Sequence, residues 1–380
     1  MAFGSAGPES IYDDVLGAGP LHQGKLRGDV VTTIDPAVQR AAAEGLGGNT
    51  GAAVAVDVRS DRIVALMSTP SYDPSLFSGY STDDAEAWKE LHDDQDQPMR
   101  NRALREAVTP GRVFHVVVAA AALEKGLQSS VSAPTRSPLR YTPPGSSTVW
   151  SGDAAHCENA SISTALRYAC DNVFARMAVD LGQDALADTA RAFGFGEDAP
   201  LDVPLRAVPS EWPEGRLGGE RLAAAGNGTG GVTATPLVMA GVLAAVANGG
   251  ERITPGMVSH VVRSDGRVEK PRNAAARGAR VLAPDTAAQL RAALEAAPPR
   301  GTTGRTAALA GRAEAGAASS VDAAPAAWSV AFTRTTEGRT VTLAARVAVP
   351  AAGGGSSADA ETAIRVTERM SRAITGLPAS

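Results

Sequence analysis

Two cysteines, Cys157 and Cys170, are the whole thiol inventory of this 380-residue chain. That is too few for a disulfide scaffold, and neither sits in zinc-ligand spacing, so no metal site is expected. No apolar run reaches the roughly 18 residues that a bilayer-spanning helix needs, so no membrane span is expected in the chain as given. No charge block is long enough to suggest an acidic or basic tail. The net value is −5 and the basic residues are scattered, which argues against a nucleic-acid partner and against charged tails. The start, Met1 to Pro8, lacks the basic and apolar regions of a signal peptide. Two locations therefore stay open: cytoplasmic if the chain is read literally, extracytoplasmic if an anchor or signal lies upstream. The glycine-rich run Gly226-Asn227-Gly228-Thr229-Gly230-Gly231 has no Walker lysine and no strand before it. It is not a phosphate loop, and no cofactor is expected.

What is present is a large mixed pattern with room for a substantial core. Asp29–Ile34 reads as a β-branched strand, and Asp35-Pro36 caps a helix over Ala37–Leu46. Gly51–Val58 and Arg62–Ser68 read as a hairpin about Ser60-Asp61, broken by Thr69-Pro70. Asp83 to Gln97 reads as an acidic, mobile stretch, and residues 128–160 as loop-rich. Helices are expected at Ile162–Tyr168, at Val173–Leu181 and up to Phe193, and a further one follows Thr233-Ala234-Thr235-Pro236-Leu237 and ends at Ala247-Asn248-Gly249-Gly250. Late strands fall at Ala308–Gly311, Ala327–Thr333 and Thr340–Val349. A Gly/Ser linker over Gly353–Ser357 then leads to a last helix, Ala358–Thr375. Mixed helices with late antiparallel strands make the class α+β.

The stretch that organises the rest is Pro110-Gly111-Arg112-Val113-Phe114-His115 and the apolar run to Gly126. A Pro-Gly turn opens a helix so apolar that it should be buried on most sides. Its first turn should face whatever cavity the turn leaves open.

Several stretches, taken in order, resemble the class B penicillin-binding protein transpeptidase domain, in its actinobacterial form. They are Val30–Gln39, Pro70-Ser71-Tyr72-Asp73-Pro74, Asn101-Arg102-Ala103-Leu104, Pro110-Gly111, Thr233-Ala234-Thr235-Pro236-Leu237, Ala247-Asn248-Gly249-Gly250 and Trp328-Ser329-Val330-Ala331-Phe332. Glu9–Leu16 resembles the end of the preceding non-catalytic module, so the likeness covers roughly residues 9–378. It implies a penicillin-binding-protein/serine β-lactamase-like fold: an antiparallel five-stranded sheet flanked by helices, with an all-helical lobe beside it. It also implies two regions, 1–28 as a remnant of an N-terminal module or linker and 29–378 as the transpeptidase-like domain.

The chemistry of that family needs a serine nucleophile and a lysine at i and i+3, both facing the cleft. A Ser-x-Asn motif relays protons, and a Lys-Thr/Ser-Gly strand holds the substrate carboxylate and lines the oxyanion hole. All three depart here. Arg112 stands at the nucleophile and His115 at the lysine. Ala169-Cys170-Asp171 stands at Ser-x-Asn and Arg312-Ala313-Glu314 at Lys-Thr-Gly, with Gly304-Arg305-Thr306 as a competing frame for the last. Arginine stays protonated and cannot attack a carbonyl.

The resemblance with these losses implies a catalytically inactive pseudo-transpeptidase of the peptidoglycan cell-wall system. Its role would be scaffold, regulation or stem-peptide binding, with cell-wall synthesis proteins or a stem peptide as partner. The alternative is an active D,D-transpeptidase, or a β-lactam-acylated enzyme, with a relocated nucleophile. Arg112, Arg312 and Asp171 are the substrate-binding candidates, the arginines because a guanidinium fork suits carboxylate. The charges at Arg112, His115, Arg312, Asp171 and Glu314 form either an ion-pair network filling the old cleft or a drifted, solvated set. His115 reads as a hydrogen-bonded core histidine or, with Asp171, as a general base. If the protein is exported, the resemblance also implies a disulfide between Cys157 and Cys170.

Overall fold

The computed structural model describes residues 11–16, 28–77, 81–197, 207–271, 278–296, 306–313, 326–349 and 357–376. Ten strands occur among them. β1 (Asp29–Thr32), β2 (Gly51–Asp57) and β3 (Arg62–Thr69) come first, and the two-residue pair β4 (Arg140–Tyr141) and β5 (Trp150–Ser151) follows. β6 (Val258–Val262) and β7 (Val268–Glu269) precede the final three, β8 (Thr306–Ala313), β9 (Ala326–Arg334) and β10 (Thr340–Ala348).

The main sheet is five-stranded and antiparallel throughout, in the order β3-β2-β10-β9-β8. Every residue of β2 is buried, because both faces of the sheet are covered. Alternate side chains enter two cores. Ala53 and Ala55 join Leu343 and Val347 against the helices Pro36–Leu46 and Ser357–Thr375. Val54 and Val56 join Trp328 and Phe332 in the larger core, which includes the helix Pro236–Ala247 and the helical lobe. The sheet helices start where local chemistry dictates. Asp35 accepts from the amides of Ala37 (2.8 Å) and Val38 (3.3 Å) ahead of Pro36 at the first helical position. Thr235 does the same for Val238 ahead of Pro236.

In the lobe, the helix His115–Glu124 is surrounded. Its first eight residues are all buried, which accounts for its lack of a polar face. Ile162–Tyr168, Asp171–Leu181, Gln183–Ala192, Gly219–Gly226 and Pro284–Glu295 complete the lobe. A small sheet, β1-β6-β7, carries Tyr12 and Val15 against Val258 and Val261. No helix among the described residues is long and apolar enough to cross a membrane.

Three sequence readings need correction. The acidic stretch is a helix, Thr82–Asp93, set by a reciprocal capping box between Ser81 and Asp84. The helices Gly219–Gly226 and Pro284–Glu295 are additional to those expected; both are alanine-rich and lack a side-chain cap. The turn at Pro110-Gly111 opens first as a 3-10 turn, Gly111–Phe114, before the α-helix begins at His115. The linker residues 353–356 lie outside the described residues.

Candidate functional site

The segment that delivers Arg112 is anchored to the sheet from below. Arg346, buried on β10, pairs with Glu106, which also meets Arg102 Nε at 3.3 Å. Burial pulls the Arg346 guanidinium below its ordinary pKa, against the pull of the Glu106 carboxylate. Arg102 donates further to the carbonyls of Gln97 (3.1 Å) and Asp96 (2.6 Å). Val108 exchanges backbone hydrogen bonds with Ala234, and Trp328 Nε1 donates to the Thr109 carbonyl at 2.9 Å. The chain therefore reaches Pro110 with little freedom left.

The turn itself is a backbone-to-backbone fit. The Gly111 amide donates to the Gly228 carbonyl at 2.9 Å, and both glycines have positive φ, +59° and +69°. A Cβ on Gly228 would fall 2.1 Å from the Gly111 carbonyl oxygen, so no side chain fits there. Phe114 wedges the turn from inside, edge-on to Phe195 (5.6 Å) and stacked on Trp212 (6.0 Å).

Above this turn, Arg112 closes on Asp171. Nε donates to Oδ1 at 2.9 Å and Nη2 to Oδ2 at 2.7 Å, a two-pronged contact. Asp171 can take part because it opens the helix Asp171–Leu181, where a carboxylate is favoured. The side chains are 43% and 19% exposed, so the pair is partly solvated.

His115 lies one layer deeper, 1% exposed, with its ring stacked on Phe174 at 3.8 Å. Its Nε2 is 2.8 Å from Asn227 Oδ1 and 3.9 Å from Asp171 Oδ1. Asn227 Nδ2 donates to the carbonyls of Asp171 and Ala223, both at 3.2 Å, so its Oδ1 is the acceptor and Nε2 carries the proton. Burial pushes the His115 pKa down to about 4, outweighing the Asp171 carboxylate and the Asn227 hydrogen bond, which favour the charged form. At neutral pH it is an uncharged donor. Its contact with Asp171 exceeds hydrogen-bond reach.

A disulfide joins Cys157 to Cys170, and Cys170 is the N-cap of the Asp171 helix. Asn172 seals the same junction, donating Nδ2 to the carbonyls of Pro138 (2.8 Å) and Cys157 (2.9 Å). Gly152 is required beside it, since a Cβ there would meet Cys157 Sγ and Asn172 Oδ1 at 2.6 Å each. Ala169 holds the left-handed turn between the two helices.

The structure thus brings Arg112, His115 and Asp171 together. Arg312 is on β8 opposite Ala327; its side chain, Glu314 and the competing residues Gly304 and Arg305 lie outside the described residues. Asn227 and Asn172 were not singled out from the sequence. Asn227 stood inside a glycine-rich run that signals only a turn, and Asn172 looked like an ordinary helix residue. Among the described residues, no group of side chains could hold a metal ion.

Comparison with known proteins bears on this geometry. The model of the penicillin binding protein transpeptidase domain matches residues 51–368. Peptidoglycan D,D-transpeptidase PbpA of Mycolicibacterium smegmatis is 33% identical over 253 residues, 63% of this chain and 50% of its own. Peptidoglycan D,D-transpeptidase MrdA of Acinetobacter baumannii is 30% identical over 285 residues, 70% of this chain and 40% of its own. The chain thus spans half or less of the length of these curated relatives. The crystal structure of PBPA from Mycobacterium tuberculosis superposes with a TM-score of 0.80 at 26% identity, covering 96% of this chain and 88% of that one. The penicillin G acyl-enzyme complex of penicillin-binding protein A from M. tuberculosis gives 0.77 at 28% identity, covering 95% and 87%.

Proposed function

Because this chain belongs to the penicillin-binding protein transpeptidase family, we propose that it is a pseudo-transpeptidase of the cell-wall system, built on the family's fold and without its acyl-transfer chemistry. The observation that supports this reading is the Arg112–Asp171 pair: on the alignment read from the sequence, it would put a guanidinium at the nucleophile's position, held by a carboxylate from the second motif. A guanidinium has no electron pair to offer a carbonyl at neutral pH. The neighbouring His115 cannot serve as base through Nε2, which already bears a proton directed at Asn227.

The sequence supports the same conclusion along its whole length. The four lysines are Lys25, Lys89, Lys125 and Lys270, preceded at i−3 by His22, Glu86, Ala122 and Arg267. None is followed by Thr-Gly or Ser-Gly, and no Ser-x-Asn occurs anywhere. A relocated nucleophile would need a hydroxyl beside a base. The hydrogen bond of the His115 side chain goes to an amide, not a hydroxyl.

The role we infer is that of a scaffold or regulatory partner of cell-wall synthesis proteins, or a binder of peptidoglycan stem peptides. Free carboxylate capture by Arg112 is the weaker variant, because a ligand would have to displace Asp171. We place the protein outside the cytoplasm, supported by the Cys157–Cys170 bond, since disulfides persist in oxidising compartments. We also read 29–378 as the transpeptidase-like domain and 1–28 as a remnant. In support, Tyr12 and Val15 pack on β6, apart from either main core.

The test is intact mass after incubation with a reactive penicillin, with a binding isotherm for the same compound. We expect no covalent adduct. A gain of one drug mass overturns the reading, and the modified peptide names the nucleophile. Saturable binding without an adduct assigns the stem-peptide role, and no binding assigns the scaffold role.

A further inference from the structure

A cavity of about 1190 Å³ lies between the helix Gln183–Ala192 and the segment 209–215. It shares a wall with the Pro110 turn. Phe195 and Trp212, which both line it, are the two rings that hold Phe114. The walls are tied in place. Gln183 uses both ends of its amide on the segment opposite, donating to the Gly215 carbonyl at 2.8 Å and accepting from the Leu217 amide at 2.8 Å. Glu211 exchanges backbone hydrogen bonds with Thr233 at 2.9 and 3.0 Å. Arg221 is tethered through Nε to the Gly230 carbonyl at 3.1 Å, and a Cβ on Gly231 would come 3.0 Å from its Nη2. A ligand entering here finds walls already ordered, which lowers the entropy cost of binding.

The groups left over define what fits. Among the described residues, the carboxylates of Asp184, Glu211 and Glu214 have no hydrogen-bond or ion-pair partner, and neither do the Nη groups of Arg221. A simple cation would leave Arg221 unmatched, and a simple anion would meet three carboxylates. A hydroxyl both donates and accepts, so a polyhydroxylated ligand suits the acids and the guanidinium together. Hydrogen bonds to charged groups are also the stronger kind. Trp212 adds an apolar face: it is half-buried, with one side stacked on Phe114, and Pro209 and Pro213 extend the apolar wall. A pyranose ring is the complement of such a lining, with hydroxyls around its edge and C–H groups on its face. The volume exceeds the roughly 300–1,000 Å³ of an ordinary small-molecule pocket, which suits several linked sugars better than one.

We propose that this cavity binds a neutral N-acetylhexosamine oligosaccharide, with one ring face on Trp212 and its hydroxyls shared among Asp184, Glu211, Glu214 and Arg221. The choice of an N-acetylated sugar rests on the cell-wall reading, since peptidoglycan strands are built of such units. It does not rest on the loss of acyl transfer, which the penicillin mass measurement decides separately. The inference adds a glycan to a chain for which only protein and stem-peptide partners were considered above.

The test is calorimetry of the full chain with the β-1,4-linked tetramer of N-acetylglucosamine. We expect saturable binding of one tetramer, unchanged within about twofold between 50 and 300 mM salt because the ligand carries no charge. Asp184→Ala and Glu214→Ala should each weaken it at least threefold, and Trp212→Ala at least tenfold. Trp212 also supports Phe114, so the two exposed acids, whose removal disturbs no packing, decide the matter if Trp212→Ala fails to fold. Arg112→Ala should leave binding unchanged. No binding at 5 mM tetramer overturns the proposal, as does binding indifferent to both acid variants. Tighter binding of 1,5-diaminopentane than of the tetramer, lost in high salt, overturns it too, and assigns the cavity to organic cations.

Discussion

Arg112 and Asp171 meet through two parallel hydrogen bonds, 2.9 and 2.7 Å long, across 59 residues of chain. The pair is partly solvated, so its worth is modest. Arg112→Ala and Asp171→Asn should each cost about 1 kcal/mol in urea unfolding, with a double-mutant coupling of similar size. A coupling of zero would show the two charges to be merely adjacent.

If Arg112 and His115 stand at the family's first motif, as proposed, placing serine and lysine there should still give no acyl transfer. Arg112→Ser with His115→Lys supplies a hydroxyl and an amine at i and i+3, yet Asp171 still stands where the second motif needs another group. We expect no acyl adduct with penicillin by intact mass. An adduct on Ser at 112 would mean that the first motif alone suffices.

His115 makes stability depend on pH. Its pKa is about 4 in the folded chain against an ordinary value of 6.5, so the unfolded state binds the proton more readily between these values. The stabilisation is complete above pH 6.5 and is lost as pH falls towards 4, up to about 3 kcal/mol in all. Urea midpoints at pH 7 and pH 5 should diverge in the parent and converge in His115→Gln. Asn227→Asp should shrink this loss, because a carboxylate beside Nε2 favours imidazolium and brings the folded pKa of His115 back towards its unfolded value.

Glu106→Gln should be the most damaging single change near the site. It leaves Arg346 buried with an uncompensated charge, which costs about 3–5 kcal/mol. Because the same segment sets the Pro110 turn, the Arg112–Asp171 contact should loosen with it, seen as a smaller double-mutant coupling in this background.

Reducing the Cys157–Cys170 bond should lower stability by about 3 kcal/mol, from the 13-residue separation it closes. Melting with and without reductant, with Cys157→Ala/Cys170→Ala as the reference, reads the effect.

Much of the architecture was legible because local signals agreed with the fold. Asp35-Pro36 carries both the cap and the first helical residue of its helix, and the β2–β3 hairpin is marked by two apolar runs about a Ser60-Asp61 turn. The acidic helix was not legible as a helix: its capping box lies between Ser81 and Asp84, inside a run whose charge suggested a solvated coil. At the site, order along the chain identified Arg112, His115 and Asp171 as neighbours. Nothing along the chain indicated that Asn227, 112 residues from His115, would fix that histidine's proton. A hydrogen bond so distant in sequence leaves no periodicity to read.

The Gly111–Gly228 contact has a consequence for design. Where two main chains touch with no room for a side chain, the site's shape is independent of the groups mounted on it. The turn is a frame, and Arg112 and His115 are the side chains it presently carries. On the proposed alignment, re-arming it is a problem of exchanging parts at 112 and 115, at 169–171 and at 312–314 while 111 and 228 are left untouched.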